Sequence, residues 1–286
     1  MSSTKKVLVI GASGFIGSII VKQLNQSGYQ VTSSTRNRSK STNDGFIFID
    51  LLRPKTIFSL SDKYKFDVIV HFGAQIGWND KDEKTMLVSN VISTSLLAFE
   101  AEKMNAKFIF ASAAIVYGAL KEDIDFNDLP NPDTPYAKSK WLAEELIRMS
   151  GVDYCILRLG GVFGLNGPTH LGLNRSISDV INNISPKIYG NGRVKRNYIY
   201  VWDVAKMVEF SIENNVEGTH LLAGTEHSMI SLMINKICEI LSNDISPITI
   251  SGNNARDQLV KSSDVFPERI SFEGALKDLK LRVSKN

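Results

Sequence analysis

KKVLVIGASGFIGSIIVKQLNQSG, residues 5–28, decides the fold. KKVLVI (5–10) is a short apolar run rich in β-branched residues, as a strand buried on both faces requires. FIGSIIVKQLNQSG carries apolar residues at helical spacing and ends at Gly28, a C-cap glycine. Between them, Gly11-Ala-Ser-Gly14-Phe-Ile-Gly17 reads G-x-x-G-x-x-G. Each glycine has a physical reason to be there. The first permits a tight turn, the second lets a pyrophosphate approach the backbone, and the third allows close helix–strand packing. The helix N-terminus adds free N–H groups and the positive end of its dipole. The expected dinucleotide contacts are Gly11, Ser13, Gly14, Phe15, Ile16 and Gly17. The competing reading is an ordinary tight turn.

Outward from this stretch, strands and helices alternate. YQVTSST reads as the second strand, GFIFID (45–50) as the third, DVIVHFGA (67–74) as the fourth, KFIFASA (107–113) as the fifth and VDYCILRL (152–159) as the sixth. Helices are expected over much of 84–104, over Tyr136 to Met149, and over 203–213 and 229–241. This alternation implies right-handed crossovers and a parallel sheet. The fold class is therefore α/β, a Rossmann-type doubly wound parallel sheet with a small C-terminal substrate-binding lobe. The expected division is a dinucleotide-binding core over 1–160 and a mainly substrate-binding lobe over 161–286, some segments returning to the core. Ligands of such sheets bind outside the strand C-termini. Gly11, Arg36, Asp50, Ala74, Ser112 and Gly160 all fall there.

The end of the second strand selects the cofactor. An NAD site carries an acid here that accepts hydrogen bonds from the ribose hydroxyls. This chain has Thr35-Arg36-Asn37-Arg38, within a basic run that continues to Lys40. A guanidinium pairs with a 2′-phosphate that a carboxylate would repel. NADP(H) is thus preferred over NAD(H), the alternative being a solvated basic loop. Asp50 and Leu51 are expected at the adenine, and Gly73 and Ala74 beside the ribose and nicotinamide. His71 reads as a packed strand residue rather than a base.

Tyr136-Ala-Lys-Ser-Lys140 is Y-x-x-x-K at helical spacing, so both side chains share one face. A phenol near pKa 10 is a poor acid or base at neutral pH. A neighbouring ammonium and the positive charge of the cofactor would favour its phenolate and let it exchange a proton with a carbonyl or alcohol. Alone, the spacing also fits a solvated helix face. Together with the glycine loop, VIVHFGA (68–74), Asn90 in SNVIST, FIFASAAIVYG (108–118), PYAKSK (135–140), LRLGGVFG (157–164) and RNYIYVWDVA (196–205), it resembles the extended short-chain dehydrogenase/reductase family, the group of nucleotide-sugar epimerases, dehydratases and reductases. The resemblance covers about residues 5–210. It implies an NAD(P)-dependent oxidoreductase in which Tyr136 is the catalytic acid/base and Lys140 its partner, both also touching the cofactor.

Two departures stand out. The family places Ser or Thr three residues before the valine of its VYG motif, where it meets the substrate oxygen. Here that residue is Ala113, and the serine is Ser112. Adjacent strand residues point to opposite faces, so Ser112 reaches the substrate only if the strand end twists. Either Ser112 substitutes in catalysis and substrate binding, or Tyr136 and Lys140 work with less help, or activity is lost. Gly161 stands where many members carry an asparagine that contacts the nucleotide-sugar. The resemblance implies that Arg196 contacts the substrate diphosphate, a solvated charged hairpin being the alternative.

A reduced substrate lobe beside an NADPH-type site implies a reductase of a 4-keto-6-deoxy sugar carried on a nucleotide. The other readings are an epimerase or dehydratase, a reductase of a non-sugar carbonyl, and a non-catalytic NADP(H)-binding sensor. The family often dimerises through the helix after the fourth strand and the YxxxK helix, so a homodimer is expected. A net charge of +3 gives no argument for nucleic acid. The N-terminus lacks a signal-peptide pattern, and no apolar run approaches the ~20 residues a membrane span needs. The two cysteines, Cys155 and Cys238, read as buried thiols of a reducing compartment, which places the chain in the cytoplasm. No Cys/His spacing suggests a metal.

Overall fold

The computed structural model describes residues 4–39, 45–77, 82–242, 244–252 and 255–284. Lys40, the end of the basic run, lies outside the described residues. The chain runs through β1 (Lys6–Ile10), α1 (Phe15–Gln26), β2 (Gln30–Thr35), β3 (Phe46–Phe48), α2 (Leu60–Lys63), β4 (Val68–His71), α3 (Glu83–Met86), α4 (Ser93–Met104), β5 (Lys107–Ala113), α5 (Pro135–Met149) and β6 (Tyr154–Leu159). It continues through α6 (Gly172–Ile181), α7 (Val201–Glu213), β7 (Gly218–Leu222), α8 (Ile230–Leu241) and α9 (Phe272–Val283). The seven β elements form one sheet in the order β3-β2-β1-β4-β5-β6-β7. β1 pairs in parallel with both β2 and β4, β2 with β3, and β4 with β5. The order reverses between β1 and β4, the switch point where an open α/β sheet leaves a crevice at its strand C-termini. The Rossmann-type sheet expected from the sequence is thus present.

β1 is buried along Val7–Ile10, and β4 and β5 carry Ile69, Phe108 and Phe110 into one core with Leu97, Ala101, Ala143, Ile147 and Ile156 from the covering helices and β6. The helix expected over 84–104 is helical throughout, but Leu87–Ile92, between α3 and α4, is a π-helical turn. π-turns of this kind cluster at functional sites. The turn carries Asn90.

Residues up to Ala119, Leu129–Arg158 and Val204–His220 form one compact unit; Leu120–Asp128, Leu159–Asp203 and the chain from Leu221 onward form another. This division differs from a cut at 160. Lys5 Nζ donates to the Ile212 carbonyl and Gln23 to Glu209, which ties α7 to the first unit. Asp123–Ile124 pairs in parallel with Leu259–Val260, which ties 120–128 to the second. The second unit is built from pairs of two- or three-residue strands: 195–196 with 228–229, 199–200 with 162–163, and 248–250 with 187–189. Phe163 packs on Tyr200 and Phe272, with ring centroids 5.4 and 5.1 Å away, and Arg282 lies 3.7 Å from the centre of the Trp202 ring. Among the described residues, no helix is long and apolar enough to cross a membrane.

Candidate active site and cofactor cradle

The glycine loop is dictated by backbone crowding. Gly11 has φ +82°, and a Cβ there would lie 2.6 Å from the Gly73 amide nitrogen. A Cβ on Gly17 would lie 2.1 Å from the Gly11 carbonyl oxygen, so only glycine lets α1 sit this close to the turn. Gly14 caps α1 with no side chain, Ser13 and Gly14 are exposed, and the first turn holds no acid. Phe15 and Ile16 open the helix half-buried, in the turn whose amides have no partner inside it. This bare, positively polarised helix end fits a pyrophosphate.

β2 delivers Arg36 to the same edge. Arg36 is exposed, and among the described residues its guanidinium takes no ion pair. Asn37 closes the turn: its amide donates to Thr35 Oγ1, and its Oδ1 accepts from Ser39. Arg38 lies 4.8 Å over the Phe48 ring. Asp50 is half-buried, accepting from the Leu52 amide and pairing with Arg53 at 3.5 Å. Leu51 closes on Gly73, where a Cβ would lie 2.9 Å from Leu51 Cδ1; Gly73 in turn abuts Gly11. Ala74 is exposed beside them. The ends of β1, β3 and β4 therefore converge on one cradle. His71 is fully buried, its Nε2 3.0 Å from Thr94 Oγ1, and burial holds its pKa down to about 3. It is neutral at physiological pH and is a packed residue.

α5 begins with Thr134 accepting from the Ala137 amide and Pro135 in the first turn, which fixes Tyr136 near the helix start. Asn90 locks this end: its amide side chain bonds the Gln75 N–H and C=O and donates to Ser139, whose hydroxyl donates to the Tyr136 carbonyl. Lys140 donates from Nζ to the Ala111 carbonyl at 2.7 Å and lies 5.9 Å from the Tyr136 ring centre. Lys140 by itself does not lower the phenol; the other half of that expectation is the cofactor's positive charge. Burial instead pushes the Tyr136 pKa up to about 12, and burial pulls Lys140 down to about 7 against the pull of Glu144. Burial alone therefore favours the protonated phenol.

Ser112 also needs correction as a substrate-facing hydroxyl. Ala113 is extended (φ −142°, ψ 143°), so the strand alternation holds to its last residue. Ser112 is 3% exposed and donates to Glu144 Oε1 at 2.5 Å, while Ala113 is the half-exposed neighbour. Glu144 is a residue that the motifs do not include. Its carboxylate also accepts from Arg158 and Arg148, and Arg158 donates to the Tyr117 hydroxyl. The signal that could have found it is an arginine inside the apolar run CILRL and a glutamate one turn beyond the motif lysine.

In the second unit, Arg196 is half-buried, its Nη1 donating to the carbonyls of Lys195 and Arg256 at 2.9 and 2.5 Å. Gly161 is a glycine because the Tyr198 ring occupies the space: a Cβ would lie 2.5 Å from it. An asparagine cannot enter there without displacing that ring. Among the described residues, no group of His, Cys, Asp and Glu is arranged to hold a metal ion.

The model of the NAD dependent epimerase/dehydratase family matches residues 7–224. A Methanocaldococcus jannaschii protein provisionally named UDP-glucose 4-epimerase is 30% identical over 259 residues, 84% of this chain and 82% of that protein. UDP-glucuronic acid 4-epimerase from Bacillus cereus, solved with NAD, superposes with a TM-score of 0.80 at 23% identity, over 98% of this chain and 99% of that one. dTDP-4-dehydrorhamnose reductase from Bacillus anthracis, solved with NADP, gives 0.80 at 16% identity, over 98% and 99%. At these identities the structures speak for the fold alone. Family match, relative and cradle agree: the chain belongs to the NAD dependent epimerase/dehydratase family, nicotinamide-dinucleotide enzymes of the extended short-chain dehydrogenase/reductase type.

Proposed function

We propose that the chain is an NADPH-dependent reductase of a nucleotide-linked 4-keto-6-deoxy sugar. The observation that carries this reading is Arg36, an exposed guanidinium with no ion-pair partner among the described residues, at the strand end where a ribose-binding carboxylate would stand. Such a fork suits a 2′-phosphate. NADPH supplies the hydride when bound. The protein's part is the proton: Tyr136, held un-ionised by burial, gives its hydroxyl proton to the oxygen of the carbonyl being reduced, so one hydride and one proton make the alcohol. Lys140 lies on the same helix face, its pKa pulled down to about 7 by burial, placed to help return that proton. With Ser112 turned to Glu144, Tyr136 acts without a strand hydroxyl. Arg196, steadied by two carbonyls, keeps its Nε and Nη2 donors for a diphosphate.

A second reading, an epimerase, is favoured by the 30% identical relative named for UDP-glucose. Exposed Leu87, Ile92, Phe99, Leu142 and Met149 around α4 and α5 support a homodimer through these helices. The free, buried Cys155 and Cys238 suit a reducing compartment, the cytoplasm.

The test is NADPH oxidation with freshly generated 4-keto-6-deoxy sugars on dTDP, GDP, CDP and UDP. Oxidation with one carrier is expected, and Tyr136→Phe should lower turnover about 10²–10⁴-fold while NADPH affinity stays close to wild type. Interconversion of UDP-sugars without net NADPH use would replace reductase by epimerase. Tight NADPH binding with no turnover on any carrier would leave a sensor or a non-sugar carbonyl.

A further inference from the structure

Glu144 lies one turn beyond Lys140 on α5 and is fully enclosed. Its Oε1 accepts from the Ser112 hydroxyl at 2.5 Å and Arg158 Nε at 3.0 Å; its Oε2 accepts from Arg158 Nη2 at 2.7 Å and Arg148 Nη2 at 2.8 Å. Arg158 Nη1 reaches the Tyr117 hydroxyl at 2.5 Å, and both guanidinia face the Trp141 ring, at 5.4 and 5.5 Å. A buried ion pair is weak evidence of stability, since apolar packing often replaces it at no loss. Here one enclosed carboxylate draws Arg158, the Ser112 hydroxyl and Arg148, the last shared at the rim with Glu145 at 2.5 Å.

The cluster sits where the reactive pair is fixed. Lys140 Nζ holds the Ala111 carbonyl and Glu144 holds the next side chain, Ser112, so one face of α5 is clamped to the last residues of β5 before Ala113. The groups facing Lys140 are Tyr136 and Glu144 on α5, neutral His71 on β4, and the Phe110 ring and Ala111 carbonyl on β5. Arg158 on β6 and Arg148 on α5 act on it through Glu144. Glu144 is the one acid among them.

We propose that Glu144 is a positioning residue for the Tyr136–Lys140 pair, anchoring the helix to the end of β5 and supplying the counter-charge of the lysine. The proposal rests on that pair being the reactive one. Burial drives the lysine towards its neutral form and Glu144 opposes this. Without the Glu144 charge, Lys140 and Arg158 lose their nearest acid while Arg148 keeps only Glu145, and the lysine loses its proton at lower pH. Without Arg148, Glu144 and, at the rim, Glu145 are both less neutralised, and the lysine keeps its proton to higher pH.

The test is the Lys140 Cε shift followed against pH by NMR in protein carrying 13C-labelled lysine, the resonance assigned with Lys140→Arg. In Glu144→Gln that melts cooperatively, the titration midpoint should fall by about one pH unit, the size of a lost neighbouring charge. In Arg148→Met, where the replaced side chain sits at the cluster's rim, it should rise. An unmoved or raised midpoint in folded Glu144→Gln overturns the proposal. Should that variant fail to fold, Arg148→Met decides: a rise supports the counter-charge, and an unmoved midpoint removes it. The midpoint needs no substrate, so absence of turnover on nucleotide sugars would count against the proposed reaction and leave this result standing.

Discussion

The cofactor cradle and the 195–196 strand each hold residues named from a motif, yet they are held by different forces. In the cradle, backbone meets backbone: Gly11 abuts Gly73, and Gly17 abuts the Gly11 carbonyl. No rotamer can relieve a contact of that kind. In the second unit, a two-residue strand paired with 228–229 carries Arg196, whose long side chain rests on two carbonyl oxygens. Hard-sphere exclusion admits one residue type, whereas polar contacts on a flexible stem admit several. A motif written by the first kind of force therefore names its geometry, and one written by the second names only a chemistry.

The largest effect should come from breaking the cradle. Gly17→Ala places a methyl 2.1 Å from the Gly11 carbonyl, so α1 must shift. About 3 kcal/mol of stability should be lost, the upper end of overpacking costs, and NADPH binding should weaken with it. Denaturant melts and cofactor titration check both. The control lies in the second unit: a Cβ on Gly172, at the start of α6, meets nothing within 4 Å, so Gly172→Ala should be neutral or mildly stabilising. Equal losses at the two glycines would dissolve the contrast.

Arg36→Ala comes next, because it removes a charge without moving the backbone. Binding of NADPH should weaken about ten- to a hundredfold, the range of a lost charge-assisted hydrogen bond. NADH binding should hold. Isothermal titration with both cofactors decides, and equal losses would assign Arg36 to general electrostatics instead of the 2′-phosphate.

The same contrast explains how much can be read from sequence. β1, β4, β5 and β6 are buried apolar runs, and the glycine loop has one feasible structure, so the sheet and cradle are legible. The direction of Ser112 follows from strand alternation once Ala113 proves extended. The tyrosine's acidity is not legible, because Lys140 turns to the Ala111 carbonyl, a contact no spacing announces. α9 carries a clear signal, Phe272, Ala275, Leu276 and Leu279 behind the Ser271 cap, yet it is absent from the helices expected above. β7 hides because GTHLL is polar in its first half. The grouping of 120–128 with the second unit depends on a two-residue pairing with a segment over a hundred residues later. Glu144 is faint for a related reason: beyond the arginine inside CILRL, a glutamate on an exposed helix face and a buried ion-pair anchor look alike until the partners are folded around it.

The smallest expected effect belongs to Arg196. Nη1 holds two main-chain carbonyls at an exposed site, so Arg196→Ala breaks two hydrogen bonds there, and among the described residues Nε and Nη2 have no acceptor. Stability should fall by about 1 kcal/mol. If the free edge of the guanidinium meets a diphosphate, KM for the nucleotide-linked substrate should rise about fivefold, the worth of one partly exposed ion pair, with NADPH affinity unchanged. Arg196→Lys sharpens the reading: it keeps the charge but loses the planar fork, so a lysine that restores KM fully would mean the site senses charge alone. Unchanged KM in both variants would make Arg196 a solvated charge and leave substrate recognition to residues that polar contacts, rather than motifs, define.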